Sequence, residues 1–260
     1  MTKPATNRRV IVVLGTYRSG TSLTARILNR LGVGFGPAAE LVPANRHNPG
    51  GYFERTDLND ANTRLISSAG GSLAMPPSPE RIAANADETA LQAVNLDWTP
   101  RARRWGLKDP RLCHTLLAWV ESQRLPLEEL TLINVVRDTP SVLRSAGAHE
   151  SVMGYAGHNS NRLAAMIQRG REDADWHLRT LPVPAITVRY ENIVENPMAT
   201  TQQLAAFIGV TSSWRIWWAS RTIGKERQRD WARARGAAVA LRDRLTMRLG
   251  RWRHAWRNNA

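Results

Sequence analysis

VIVVLGTYRSGTSLTARIL, residues 10–28, joins a β-branched apolar run, a glycine-flanked loop and a periodic segment. Val10 to Leu14 reads as a strand of a parallel sheet, because such strands are covered on both faces and carry unbroken Val/Ile/Leu runs. Leu23, Ile27 and Leu31 then recur at helical spacing and Gly32 closes the segment, which predicts a helix over 21–31. Strand, loop and helix are the context of a phosphate-binding loop, G-x-x-x-x-G-K-[ST]. Gly15 and Gly20 keep that frame, but Thr21 stands at the lysine position, with Ser22 after it. In an ATP site that lysine reaches the β- and γ-phosphates, and the hydroxyl binds the bridging Mg²⁺. Without it the loop suits a ligand with one phosphate in the backbone nest, and Arg18 offers a planar fork of donors to a terminal anionic group beyond.

The alternation continues downstream. Trp105 to Lys108 reads as a short strand followed by a helix to about Gln123. Leu130 to Val136 is a buried strand, and Thr139 as N-cap with Pro140 behind it opens another helix. Ala185 to Tyr190 is a further strand, and after a short loop Asn196-Pro197 starts a helix that ends at Gly209. Strands alternating with helices imply an α/β fold with a central parallel sheet and helices on both faces, a three-layer arrangement like that of P-loop proteins. Met75 to Arg104, with Pro76, Pro77, Pro79 and Pro100, is expected to be a loop excursion. Residues 145–180 are expected to form a helical cap over the C-terminal edge of the sheet, where open α/β folds bind ligands.

The composition suits one soluble globular domain: 260 residues, 42% hydrophobic and 22% charged. Its longest early apolar run is too short for a signal peptide or a membrane span. The single cysteine, Cys113, excludes an intrachain disulfide framework and a cysteine-based zinc cluster, so a cytoplasmic location is expected. Cys113 itself reads as a small buried residue. The six histidines show no metal-ligand spacing, and no metal is expected. The net charge of +14 is concentrated late: from Trp214 onward thirteen Lys+Arg stand against three acids, 13 − 3 = +10, among six of the ten tryptophans.

Taken together, the motifs resemble those of sulfotransferases that use 3′-phosphoadenosine 5′-phosphosulfate (PAPS), in particular the tyrosylprotein and bacterial carbohydrate or lipid branches. GTYRSGTS resembles their 5′-phosphosulfate loop, P-R-S-G-T-[TS], with Tyr17 in place of the usual proline. The resemblance implies that Gly15, Tyr17, Arg18, Ser19, Gly20, Thr21 and Ser22 surround the 5′-phosphosulfate, with Arg18 near the sulfonate. VVRDTPSVLRSA is similar to the 3′-phosphate site, which implies that Arg137 and Ser145 hold that phosphate. WGLKDPR resembles the K-D-P element, and by that match Lys108 hydrogen-bonds the oxygen between sulfur and the departing 5′-phosphate. HNPGGYFE is similar to N-P-K-G-Y-[FW]-E, which makes Glu54 one candidate for the base that takes the acceptor's proton. Glu40 is the other, by its separation from Arg18. ITVRYENIVENP looks like R-Y-E-D-L-x-x-x-P, which places Tyr190 near the adenine, and RTIGKERQRDW resembles the loop that closes over the 3′-phosphate, with Lys225 and Arg227 at the matching positions.

The function so implied is transfer of a sulfonate from PAPS to a hydroxyl of a small molecule, carbohydrate or lipid, by in-line displacement without metal. Two other readings stay open at this level: a degenerate ATP-dependent P-loop kinase, and a non-catalytic nucleotide-binding adaptor at a membrane. Residues 1–213 are expected to form the catalytic domain and 214–260 a basic segment, where Leu241, Leu245, Leu249, Trp252 and Trp256 step along an amphipathic helix. That segment can cover its own domain, lie on an anionic membrane or pair two subunits, and no specific nucleic-acid contact is expected.

Overall fold

The computed structural model describes residues 9–45, 48–96 and 104–223. In chain order the elements are β1 (Arg9–Leu14), α1 (Thr21–Arg30), α2 (Thr56–Ser68), α3 (Pro79–Ala84), α4 (Glu88–Gln92), β2 (Arg104–Lys108), α5 (Leu112–Glu121), β3 (Leu130–Val136), α6 (Thr139–Gly147), α7 (Glu150–Tyr155), α8 (Ser160–Thr180), β4 (Ala185–Arg189), α9 (Tyr190–Glu195), α10 (Pro197–Phe207) and α11 (Ser213–Ser220). The sheet is parallel throughout, in the order β2-β1-β3-β4. The chain therefore leaves β1 toward one edge and returns to the other, so the crevice for a ligand lies outside the carboxyl ends of β1 and β3. Those two strand ends carry the Gly15–Gly20 loop and Arg137.

Val10 to Leu14 are fully buried, as an unbroken apolar run requires in a strand covered on both faces. Val10, Val12 and Leu14 pack with Leu58 and Leu65 of α2 and with Leu116 and Trp119 of α5. Ile11 and Val13 alternate to the opposite face, where α1 packs on β1 and is itself covered by α10 and α11. The three layers expected of the sequence are present. Above them α6, α7 and α8 close a small core of their own around Val142, Val152, Met166 and Ile167, which is the helical cap.

Three local readings need correction. The N-cap of α6 is Asp138, not Thr139: its carboxylate accepts from the Ser141 amide, and Pro140 lies one position deeper than expected. Met75 to Arg104 is not a plain loop, since Ser78 and Asp87 cap the short helices α3 and α4. Pro79 sits in the first turn of α3, where its missing N–H has no helical acceptor to lose. Finally, β4 ends at Arg189, and Tyr190 begins the helix α9 where a loop was expected.

Residues through Ser220 form one compact unit; a second begins at Arg221, of which the 3₁₀ turn Arg221–Ile223 is described. The expected amphipathic helix around Leu241 to Trp256 lies outside the described residues. Among the described residues no helix is long and apolar enough to cross a membrane.

His177 on α8 is fully buried, and that burial, followed by the neighbouring His114, pushes its pKa down to about 3. The unfolded chain therefore takes up a proton that the native one does not, between an unfolded pKa near 6.5 and the native value. Stability present above that window is lost as pH falls through it, by up to about 1.4 kcal/mol per pH unit. Thermal melts at successively lower pH are expected to show this decline, and His177→Leu to flatten it.

Candidate active site

The loop after β1 is shaped by residues with unusual backbone angles. Gly15 has φ 142° and Gly20 φ 106°. A Cβ on Gly15 would stand 2.6 Å from the Val135 carbonyl oxygen, and one on Gly20 would stand 2.4 Å from the Tyr190 ring. Only glycine lets this backbone pass so close. Gly20 is the N-cap of α1 without a side-chain cap, and the first turn holds no acidic residue. The first amides of a helix have no acceptor of their own and carry its positive dipole end. Thr16 Oγ1 and Ser19 Oγ are buried beside them without hydrogen-bond partners. A loop with open amides, two orphaned hydroxyls and no carboxylate fits an anion.

The Gly15 amide is not part of that set, because it donates to Cys113 Sγ at 3.3 Å. Burial pushes the Cys113 thiol up to about 12, so it acts as a fixed acceptor under the loop and not as a nucleophile. The sequence suggested only a small buried residue there; the sulfur's contact with the loop depends on how α5 lies against β1.

Lys108 ends β2 with only 2% of its surface exposed. Its Nζ donates to Ser22 Oγ at 3.2 Å and pairs with Glu54 Oε1. Thus one ammonium touches both the first turn of α1 and a carboxylate from the segment before α2, and an ammonium has a third donor for a ligand. Glu54 is held in turn by Asn59, whose Nδ2 donates to Oε2 at 3.2 Å. The next residue after Lys108 is fixed equally firmly. Asp109 accepts from the Arg111 amide and guanidinium and from Asn62 Nδ2, while Asn62 Oδ1 accepts from Thr115 and Trp119. These asparagines, three apart on one face of α2, were missed in the sequence, where only that spacing could have marked them.

Glu40 goes elsewhere. The Val42 amide donates to the Glu54 carbonyl at 2.7 Å and Leu41 bridges Arg55, folding the two stretches together. This hairpin sets Glu40 on the buried Arg55, N to O 2.7 Å, and leaves Glu54 on the lysine side.

At the end of β3, the Arg137 guanidinium carbon sits over the Tyr190 ring, 4.2 Å from its centroid, and its Nη1 donates to the Arg18 carbonyl at 3.4 Å. The strand end is braced by Arg171, which donates to the Arg137 carbonyl at 2.6 Å. Arg18 donates through Nε to Ser145 Oγ at 3.1 Å. Arg137, Ser145 and the loop therefore meet on one side of the sheet. Arg18, at φ 66°, reaches Ser145 on α6, and Lys108 is the cation in contact with Ser22. A cavity of about 440 Å³ opens along these strand ends, lined among others by Gly15, Thr16, Arg137, Asp138, Arg171 and Asp175.

Tyr17 serves another purpose than its neighbours. Its ring packs against the core of the cap and lies 5.7 Å from Tyr155 on α7, fastening the cap to the loop. Burial raises its pKa well above the ordinary tyrosine value. Lys225, Arg227 and His47 lie outside the described residues.

Comparison with curated protein sequences finds no match. Among solved structures, the chain is similar to the sulfotransferase domain of the Synechococcus PCC 7002 olefin synthase, at 18% identity and a TM-score of 0.49, over 83% of this chain and 78% of that one. It is also similar to the sulfotransferase domain from the curacin biosynthetic pathway, at 20% identity and 0.47, over 80% and 76%. A third is sulfotransferase STF1 from Mycobacterium tuberculosis H37Rv, at 18% and 0.44, over 83% and 71%. The family model described as "Sulfotransferase family" matches residues 10–215, from β1 into α11 and across every group just described. With that match spanning most of its length, the chain belongs to the sulfotransferase family.

Proposed function

We propose that the protein transfers the sulfonate of PAPS to a hydroxyl of a small-molecule, carbohydrate or lipid acceptor. The observation that carries this reading is the position of Lys108, in contact with both Ser22 at the start of α1 and Glu54. A group at that point can serve both ends of a displacement at sulfur. The open amides of α1 and the orphaned hydroxyls of Thr16 and Ser19 would hold the 5′-phosphate, and Arg137, Ser145 and Arg18 the 3′-phosphate. Tyr190 supports the Arg137 guanidinium from below.

As the acceptor oxygen attacks sulfur, Glu54 takes its proton and the bond from sulfur to the 5′-phosphate oxygen breaks. Lys108 donates to that departing oxygen, where negative charge develops, so its contribution is larger in the transition state than in the ground state. Glu54 is favoured over Glu40 as the base because it shares Lys108 with Ser22 of α1, whereas Glu40 is paired with Arg55 away from that lysine.

Calorimetric titration separates this reading from the kinase. Tight binding of 3′,5′-ADP is expected, with ATP-Mg²⁺ much weaker. Arg137→Ala is expected to weaken 3′,5′-ADP by roughly 1.5–3 kcal/mol, about 10- to 100-fold, and 5′-AMP hardly at all. Preference for ATP-Mg²⁺ in the parent protein would overturn the proposal.

A further inference from the structure

The last helix of the catalytic unit carries a face that catalysis does not use. Trp214, Trp217 and Trp218 stand at i, i+3 and i+4 of α11, on one side of the helix, and are 65%, 47% and 41% exposed. The Trp214 and Trp218 rings stack 8° from parallel, centroids 5.8 Å apart. Arg30 of α1 lies over the Trp218 ring at 4.5 Å and donates to the Trp218 carbonyl. Large exposed indoles gathered on one helix face, with an arginine over one of them, mark an interaction surface.

We infer that this face of α11 docks on an anionic lipid bilayer. An indole has an apolar body and one N–H donor, which suits the boundary between headgroups and acyl chains, and guanidinium groups beside it meet lipid phosphates. Charge complementarity selects the occupant: Arg30 lies over the Trp218 ring, and residues 214–223 hold Arg215 and Arg221 and no acid. A second copy of this chain would bring the same arginines against these and is disfavoured by like-charge repulsion. With no helix among the described residues able to span the bilayer, the contact is peripheral.

The test is co-sedimentation of the full chain with vesicles of phosphatidylglycerol and phosphatidylcholine in equal parts, and with phosphatidylcholine alone. Binding to the mixed vesicles is expected, with little to the neutral ones and a loss as salt is raised. Trp214→Ser with Trp218→Ser is expected to lower the bound fraction on the order of tenfold, while melting temperature and 3′,5′-ADP binding stay as in the parent. Equal binding to neutral vesicles, or undiminished binding by the double variant, would overturn the inference. So would a double variant that keeps its vesicle binding but loses self-association in sedimentation velocity or affinity for a single-stranded oligonucleotide. None of these readouts depends on sulfonate transfer.

Discussion

Lys108→Ala is expected to lower kcat about 10²- to 10³-fold while leaving 3′,5′-ADP affinity within a few-fold of the parent. A positioned donor at a developing negative charge is worth that much when removed. On the proposed mechanism the spent nucleotide has lost the bond that the lysine addresses, so its affinity reports little of that interaction. Loss of Lys108 also leaves Glu54 as a buried carboxylate without its cation, a destabilisation of roughly 3–5 kcal/mol in comparable pairs. Melting temperature should therefore fall together with kcat. Lys108→Ala combined with Glu54→Gln is expected to recover much of the stability and none of the activity. A single variant with parental turnover would remove Lys108 from the mechanism.

Glu54→Gln is expected to reduce kcat about 10²- to 10⁴-fold, the range for loss of a general base, with KM for the donor little changed. Glutamine keeps the size and the contact with Asn59 but cannot take a proton. Glu40→Gln provides the contrast: it removes one partner of the buried Arg55, which retains Asp57 at 2.6 Å, so stability falls and kcat is preserved. If Glu40→Gln abolished turnover and Glu54→Gln did not, the two roles would be exchanged.

What could be read directly from the sequence follows the range of the forces involved. The β1 strand, its loop and the start of α1 are fixed by neighbours in sequence, through an apolar run, two glycines and a four-residue period. Arg137 at a strand end with Ser145 two turns into the next helix is similarly local. Which of Glu54 and Glu40 lies beside Lys108 was not legible, because that depends on the pairing of Val42 with Glu54 and Leu41 with Arg55. No periodicity announces that hairpin. Asn62 and Cys113 escaped for the same reason: each matters through a contact with a distant segment, Asp109 in one case and Gly15 in the other. Helix α9 is too short for a hydrophobic period to show, and the prolines around α3 read as breakers although Pro79 occupies a position that tolerates one. The contact of Arg18 with Ser145 likewise joins residues 127 apart in the chain.

The central claim is that a sulfonate leaves PAPS at Lys108 and reaches an acceptor hydroxyl deprotonated by Glu54. Incubating the protein with PAPS and a lipid- and carbohydrate-containing cell extract, then analysing the mixture by mass spectrometry, tests it directly. The expected result is 3′,5′-ADP formed in step with a product heavier than an extract component by one SO₃, both absent with Glu54→Gln. The contradictory result is PAPS left intact while ATP-Mg²⁺ yields a phosphorylated product.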